Sequence, residues 1–270
     1  MKDFYRKLNK SAAGEYTRRL WSDYRKTVTD FALDGFNEGK STLIIAAGNM
    51  NDIDFPRIKE CSDNITLADI DTESVNDSIP DIGAVSIDFG GLNLPKGVSE
   101  DEIIRMLELH EPNIRDELGE NTFDNILVSP FYSQILLPWI FNEYPYLASD
   151  SPLAAKALDS AGQIIIQANR RIKSLCRQNT HICIWSDILE YDIGDEAFHD
   201  ISKNIDDNEW MDSFYWSYLD TYGHGTGSFG HMDMERKMKN IRCRWVIWPF
   251  DERRRMIVRI ASGRIADAIL

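Results

Sequence analysis

The stretch KSTLIIAAGNMNDIDFPRIKECSDNITLADID, residues 40–71, decides how the remainder of the chain is organised. Residues 43–45 are an apolar run without polar alternation, which is typical of a strand buried on both faces of a parallel sheet. A turn of small residues follows at 46–49, and residues 52–59 can form a short helix before a second strand at 65–68. This order predicts a strand, turn, helix and strand unit, the building block of an α/β sheet.

The two strand ends of this unit carry residues suited to a nucleoside ligand. Ala46, Ala47, Gly48 and Asn49 are small, so the backbone of the turn can approach a ligand closely. Asp69 closes the second strand 21 residues after Gly48, near the spacing of about 20 residues at which a carboxylate meets ribose hydroxyls. A single glycine of the GxGxxG fingerprint favours a ligand with ribose and adenine but no phosphates. An ordinary unit without a ligand is the alternative.

These features resemble the class I (seven-strand, Rossmann-like) S-adenosylmethionine-dependent methyltransferases. In that family a first strand enters a GxGxG-like loop, and an acid ends the second strand. Ala46 and Met50 stand here where the family has glycines. The resemblance implies S-adenosyl-L-methionine as the cofactor, bound in this stretch by Ala46, Ala47, Gly48, Asn49, Asp69 and Ile70.

The next strand end extends the resemblance. Residues 83–87 predict a third strand, which Asp88 and Phe89 follow. In the family, an acid or amide at this point approaches the adenine amino group and an apolar neighbour covers the ring, so the resemblance implies these roles for Asp88 and Phe89. An aspartate before glycine is also a common turn former, which is the alternative for Asp88.

A fourth strand at 126–128 runs into the sequence SPFY, residues 129–132. Ser129 ends this strand, where open α/β sheets place ligands, and we expect it in the cofactor site. SPFY also resembles the [D/N/S]-P-P-[Y/F/W] motif of amino-group methyltransferases, which implies amine recognition by Ser129 and Tyr132. Two other interpretations are that Phe131, Tyr132 and Gln134 wall an acceptor pocket, and that SP is only a strand-to-helix turn with Pro at the first helical position.

The two ends of the chain complete the predicted fold. Residues 3–38 predict helices broken near Gly14, an extension that lids the acceptor pocket in such methyltransferases. Tyr24 in this extension either lines that pocket or packs helices. Residues 242–261 read as strand, turn and strand, which is an antiparallel hairpin. We therefore predict a Rossmann-like three-layer α/β sandwich with a seven-stranded mixed sheet ending in that hairpin.

The domain prediction is a helical extension over 1–39 and a methyltransferase-like domain over 40–270. An acidic and aromatic insertion lies near 187–240, and its residues 187–220 hold eleven Asp or Glu and one Lys. A solvated face is the preferred interpretation of this charge run, and a cation-accepting cleft is the other. The glycine-rich segment 222–231 predicts a flexible loop, and no neighbouring acid or cysteine supports a catalytic or metal role for its histidines.

Composition limits the classes of protein that fit. The chain has 270 residues and a formal net charge of −14, which argues against a broad nucleic-acid groove because phosphates would be repelled. The four cysteines form no CxxC or Cys/His cluster, so we expect reduced thiols, no metal site and a cytoplasmic protein. No apolar run approaches the roughly 18 residues of a membrane span.

The resemblance covers residues 40–262 and implies methyl transfer to a small-molecule or protein acceptor, although no residue is assigned as a catalytic base. Three alternatives stay open. The first is a non-catalytic S-adenosylmethionine-binding or partner-docking protein. The second is an NAD(P)-dependent oxidoreductase, which the single glycine and the terminal hairpin disfavour. The third is an amino-group methyltransferase acting on nucleic acid, which the net charge opposes.

Overall fold

The computed structural model describes residues 2–12, 14–90, 92, 97–148 and 150–266. The strands in this part of the chain are β1 (Lys40–Ile45), β2 (Ser62–Asp69), β3 (Ala84–Asp88), β4 (Arg115–Asp116), β5 (Phe123–Val128), β6 (Cys176–Asp192), β7 (Met238–Trp248) and β8 (Arg254–Ile265).

The helices of the same ranges pack on both faces of the sheet. They are α1 (Lys2–Ala12), α2 (Glu15–Leu20), α3 (Ser22–Leu33), α4 (Phe55–Glu60), α5 (Thr72–Ser78), α6 (Glu100–Glu108), α7 (Leu137–Glu143), α8 (Pro152–Ser174), α9 (Glu196–Asn204), α10 (Asn208–Tyr222) and α11 (Thr226–Glu235). A 3₁₀ turn covers Tyr132–Gln134.

The strands form one mixed sheet in the order β4-β3-β2-β1-β5-β6-β8-β7. The five neighbouring strands β3, β2, β1, β5 and β6 run parallel. Strand β8 pairs antiparallel with β6, and β7 pairs antiparallel with β8. The predicted Rossmann-like sheet with a closing antiparallel hairpin is therefore confirmed. The strand beyond the predicted seven is β4, whose two residues pair with β3 and are too few to leave a sequence pattern.

Two apolar layers explain why β1 lacks polar alternation. Leu43 and Ile45 point into the core that packs against α6 and α8, whereas Ile44 points into the opposite core beneath α3 and α4. All three are buried because successive side chains of a strand face opposite sides and both sides are covered. The sheet is thus the middle layer of a three-layer sandwich.

The acidic and aromatic segment adds a third, smaller core. Helices α9 and α10 bury Ile201, Met211 and Tyr215 against Trp245 and Ile257 of the hairpin. Most of the acids on these helices are exposed, which agrees with the interpretation of a solvated face. Asp187 departs from that interpretation because it is partly buried.

The predicted flexible loop at 222–231 is wrong from Thr226 onward, where α11 begins. Its glycines are needed for close packing and not for mobility. A Cβ added at Gly230 would overlap the ring of Tyr132, and one at Gly227 would overlap the backbone carbonyl of Asp187. Composition alone does not distinguish these two uses of glycine.

The state of the cysteines and the lengths of the helices agree with the expectations drawn from the composition. Cys61, Cys176, Cys183 and Cys243 are free thiols. Within the ranges that the structure covers, no helix combines the length and apolarity that crossing a bilayer requires.

Candidate active site

The carboxyl ends of the parallel strands gather the predicted site residues at one edge of the sheet. The loop after β1 lies beside the end of β2 on one side and the end of β5 on the other, since β1 pairs with both strands. Backbone hydrogen bonds tie these ends together, from the Ala47 N–H to the Ala68 carbonyl and from the Ser129 N–H to the Ile45 carbonyl. This is the edge at which open α/β sheets bind ligands.

The loop after β1 has an unusual backbone. Ala46 and Met50 adopt φ values of 56°, a left-handed conformation that side chains disfavour, and Gly48 between them has a φ of 52°. Such conformations cost of order 1–3 kcal/mol each for non-glycine residues and cluster at ligand sites. Ala46 and Met50, the two departures from the glycine motif, therefore adopt the backbone that glycine would supply without strain.

Asp69 links the ends of β1 and β2. Its Oδ2 accepts the backbone N–H of Gly48 at 2.9 Å, and its Oδ1 accepts that of Asp71 at 2.7 Å. The residue is 6% exposed, and burial, with the charge of Asp71, raises the pKa of its carboxyl group. A carboxylate has about four lone-pair sites, so acceptor capacity remains for a ligand hydroxyl. Ile70, the next residue, is half-buried at the same corner.

Helix α1 lies over this corner. The Tyr5 hydroxyl donates to the Gln134 carbonyl at 2.5 Å, the Asn49 amide donates to the Asn9 carbonyl at 2.9 Å, and the Asn9 amide donates to Asp71 at 3.1 Å. Burial, together with the charges of Asp88 and Asp69, raises the pKa of Tyr5. The extension therefore covers the ends of β1, β2 and β3.

The end of β3 turns towards the segment after β5. The Gly90 N–H donates to Asp88 Oδ1 at 3.0 Å, which is the turn-forming bond expected of an aspartate before glycine. The rings of Phe89 and Phe131 stack with centroids 5.1 Å apart. The structure thus joins two predicted residues from different strand ends into one aromatic wall.

Tyr132 lies differently from the prediction, whereas the pocket-wall role of Gln134 stays a prediction. Tyr132 is fully buried in the core, where its hydroxyl donates to Asn169 Oδ1 at 2.7 Å and its ring packs on Gly230. This position removes it from the acceptor wall, because the segment folds back into the core at residue 132. The Gln134 side-chain amide donates to the Pro130 carbonyl at 3.1 Å, and the backbone carbonyl of Gln134 accepts the Tyr5 hydroxyl.

Two carboxylates that the sequence did not single out lie next to the β5 end. The Ser129 hydroxyl donates to Asp52 at 2.9 Å, and the Ser133 hydroxyl donates to Asp187 at 2.8 Å. Burial raises the pKa of each carboxyl group to about 6 against these hydrogen bonds. Both residues nevertheless keep partial solvent exposure and are not sealed in the core, and we call the region around these two acids the cleft.

Tyr24 closes the same cleft from α3. Its ring stacks on Trp248 at 5.3 Å with an interplanar angle of 8°, and the residue is 3% exposed. Its hydroxyl has no hydrogen-bond partner among the described residues. Burial, and then the charges of Asp52 and Asp187, raise the pKa of that hydroxyl. The buried, stacked ring agrees with the packing interpretation of Tyr24, and the pocket-lining interpretation stays a prediction.

A positional signal for the missed carboxylates exists in the sequence. Asp187 follows the predicted strand 181–185, so it belongs to the same carboxyl edge as Asp69 and Ser129. Grouping it with the acidic run that follows hid this position. Asp52 carries no such mark, because its place depends on the course of the loop after β1. No group of three His, Cys, Asp or Glu side chains in the described ranges could hold a metal ion.

Two surface cavities lie away from this edge. One of about 420 Å³ is bordered by Tyr16, Thr17 and the β7–β8 turn. The other, of about 260 Å³, lies between the start of α11 and Tyr218. The residues lining these two cavities do not include those predicted for the cofactor.

Comparison with known proteins gives structural similarity without sequence similarity. No family model matches the sequence, and none of the curated proteins matches it. The chain is similar to the N-methyltransferase NodS from Bradyrhizobium japonicum WM9 in complex with S-adenosyl-L-homocysteine, at 10% identity and a TM-score of 0.49, over 97% of this chain and 98% of that chain.

Two further solved methyltransferases are similar at comparable levels. A SAM-dependent methyltransferase from Thermotoga maritima is 11% identical over 97% of this chain and 98% of that one, with a TM-score of 0.41. An O-methyltransferase family protein from Burkholderia thailandensis is 8% identical over 98% of this chain and 60% of that one, with a TM-score of 0.45. Because these scores lie below 0.5, we base function on the residues of the site.

Proposed function

We propose that the protein is an S-adenosyl-L-methionine-dependent methyltransferase acting on a small-molecule or protein acceptor. The observation that carries the proposal is the bond between the strained loop after β1 and the buried Asp69 at the end of β2. A carboxylate fixed by two backbone donors, with acceptor capacity left, fits ribose hydroxyls. The loop offers no glycine-rich cradle for a pyrophosphate, which disfavours a dinucleotide.

The residues present suit the cofactor's parts. Asp69 would hold the ribose, the backbone of 46–49 would pass beside the amino-acid portion, and Asp88 with Phe89 would meet the adenine. Bound there, the cofactor would supply an electrophilic methyl group on a sulfonium. The protein then needs chiefly to align the acceptor and exclude water. The Phe89–Phe131 wall and the cover of α1 are suited to that task.

Helix α1 acts in this proposal as a lid. It is held by Phe4, which packs against the core, and by polar contacts, namely Tyr5 to the Gln134 carbonyl, Asn9 to Asp71 and Arg6 to Glu73 at 2.6 Å. Its residues near the edge are half-buried or exposed, so opening it disrupts little of the core. A ligand could then enter while the sheet stays intact.

Calorimetry with S-adenosyl-L-methionine and S-adenosyl-L-homocysteine tests the proposal. Asp69→Ala is expected to weaken binding by about 1–3 kcal/mol, the range for hydrogen-bond partners left unsatisfied. The affinity of Asp69→Asn, which keeps one acceptor oxygen, is expected to lie between the affinities of wild type and Asp69→Ala. Asp63→Ala, an exposed aspartate at the other end of β2, is the matched control and should bind like wild type. Thermal unfolding of each variant checks the fold.

The outcomes separate the alternatives. Unchanged affinity in a folded Asp69→Ala variant would place the ribose contact elsewhere. Binding of NAD without binding of S-adenosyl-L-homocysteine would favour an oxidoreductase. Cofactor binding without S-adenosyl-L-homocysteine production across varied acceptors would favour a non-catalytic binding protein.

A further inference from the structure

The cleft beside Ser129 has a composition that the cofactor site does not explain. Asp52 comes from the loop after β1, Asp187 from within β6, just beyond the last residue of β6 that pairs with β5, and Tyr24 from α3. Three separate elements thus bring two carboxylates and a phenol together. Asp52 and Asp187 accept hydrogen bonds from Ser129 and Ser133, which belong to one short segment, and the charges of both acids act on Tyr24, so the three polar groups lie in one region.

The hydrogen bonds in the cleft leave acceptor capacity unused. Each carboxylate receives one serine hydroxyl, from Ser129 and Ser133 respectively. The buried Tyr24 hydroxyl has no partner within the described part of the chain. A buried polar group without a partner is costly, and so is a pair of neighbouring carboxylates without a cation. A ligand with several donors and a positive charge would relieve both.

The wall of the cleft also suits a cation. Tyr24 stacks on Trp248, Trp21 packs edge-on to the same indole with centroids 4.7 Å apart, and Trp185 lies two residues before Asp187 on the same face of β6. Aromatic faces attract ammonium groups. The charge of Arg25 acts on Asp52, but the guanidinium of Arg25 donates its hydrogen bond to the Arg18 carbonyl at the surface.

We propose that this cleft, formed by Asp52, Asp187 and Tyr24, binds the protonated amino group of the methyl acceptor. The inference rests on the proposed methyltransferase function and names its substrate class as an amine. Ser129 and Ser133 then orient the carboxylates and do not themselves receive the amine. The SPFY segment contributes to amine recognition through Ser129, while Tyr132 serves the core.

The two carboxylates can also accept the proton that the ammonium must lose before its nitrogen can be methylated. The ammonium gives one proton to the carboxylate of Asp52 or Asp187, which leaves a neutral amine with a lone pair. That lone pair forms the new N–C bond to the methyl group of the sulfonium donor as the C–S bond breaks and its electrons remain on sulfur. The product is a methylated ammonium, and the carboxylic acid releases its proton to solvent. A base with a pKa near neutrality is suited to this exchange.

Amine binding is expected to depend on pH because the cleft titrates. The titratable and charged groups described around the pair are Tyr24 and Arg25 of α3 and Glu190 of β6. Protonating either carboxylate removes the charge that holds the ammonium. With carboxyl pKa values of about 6, affinity should rise as pH increases from 5 to 7.

Calorimetry with n-butylammonium and phenethylammonium tests the inference, with 1-butanol and 2-phenylethanol as neutral isosteres. Titrations are run with and without saturating S-adenosyl-L-homocysteine, between pH 5 and 7.5, where both amines stay protonated. Wild type is expected to bind at least one amine roughly tenfold or more tightly than its alcohol. The Asp52→Asn/Asp187→Asn double variant should lose that preference and its pH dependence, and Tyr24→Phe should lose part of it. Asp220→Asn, an exposed acid on α10, is the matched control.

Equal binding of amines and alcohols by wild type, or failure of both amines to bind, would overturn the inference. An amine preference that survives in the folded double variant would do the same. These results are independent of the proposed function, since binding of S-adenosyl-L-homocysteine is measured in the same samples. If that ligand fails to bind while the amine preference depends on Asp52 and Asp187, the proposed function fails and the cation site remains.

Discussion

Two sets of partly buried carboxylates in this protein differ in the charge that faces them. Glu235 on α11 accepts Arg259 Nε at 3.1 Å and lies 3.3 Å from His231 Nε2. Burial alone would raise the pKa of Glu235, but His231 and Arg259 lower it to about 2. The side chains described as donating to Asp52 and Asp187 are serine hydroxyls, and burial raises the pKa values of the two acids to about 6.

The difference separates a structural role from a functional one. An acid whose pKa is lowered on folding stabilises the native state at neutral pH, whereas an acid whose pKa is raised destabilises it. The Glu235 cluster therefore helps hold α11 to the hairpin strands β7 and β8. The cleft acids act against stability, which is expected where a ligand, and not the protein, supplies the missing charge.

The largest expected effect comes from removing the cation of the structural cluster. Arg259→Met keeps most of the apolar stem but leaves Glu235 and Asp212 without their guanidinium, and should destabilise the protein by about 3–5 kcal/mol. Urea unfolding at pH 7.5 measures this. Arg253→Met, which breaks an exposed pair with Asp192, is the matched control and should change stability little. A comparably small effect for Arg259→Met would remove the contrast between the two sets.

The same cluster predicts how stability responds to acid. The pKa of Glu235 falls from 4.5 to about 2 on folding, so its contribution is present above pH 4.5 and is lost as pH falls towards 2. The difference between wild type and Arg259→Met should therefore shrink over that interval.

A smaller effect of opposite sign is expected in the cleft. Folding raises the pKa of Asp52 and Asp187 from 3.8 to about 6, so their favourable contribution is complete below pH 3.8 and is lost as pH rises through 6. Asp52→Asn/Asp187→Asn should therefore stabilise the protein at pH 7.5 by about 1–3 kcal/mol, and by much less at pH 4. Unfolding curves at the two pH values measure this. Destabilisation at pH 7.5 would mean that the carboxylates have a structural partner.

The smallest effect is expected at the lid. Asn9→Ala removes the amide that donates to Asp71 but keeps the backbone carbonyl that holds Asn49. The loss of one hydrogen bond, about 1 kcal/mol, should speed dissociation of S-adenosyl-L-homocysteine about fivefold with little change in melting temperature. Stopped-flow dissociation measures this, with Lys10→Ala on the exposed side of α1 as the control. Equal rates in the two variants would argue against α1 as a lid.

The fold was predictable because its signals are local. The apolar run 43–45, the acid at Asp69 and the hairpin over 242–261 each mark an element, and their order determines the sheet. The glycines of α11 misled because a glycine in a turn and a glycine beneath an aromatic ring look alike in sequence.

Only the half of the candidate site that lies at strand ends was predictable from the sequence. Asp69 and Asp88 end strands and Ser129 follows one, so the sequence predicts their place at the carboxyl edge of the sheet. Asp52, Tyr24 and Asp187 come together only in the folded chain. Asp52 contacts Ser129 across 77 residues of sequence, and Ser133 contacts Asp187 across 54. The His231–Glu235 pair was missed for a related reason, since its i,i+4 spacing has meaning only once α11 is known to be a helix.

The position of β8 affects how the chain can mature during synthesis. Its residues Arg254–Ile265 pair with β6 on one side and β7 on the other, so the last of the described strands in chain order lies inside the sheet and not at its edge. Until residue 265 has been synthesised and has left the ribosome, the long strand β6 lacks its partner on this side. Nascent chains stalled before that point should be the ones that chaperones hold and that aggregate.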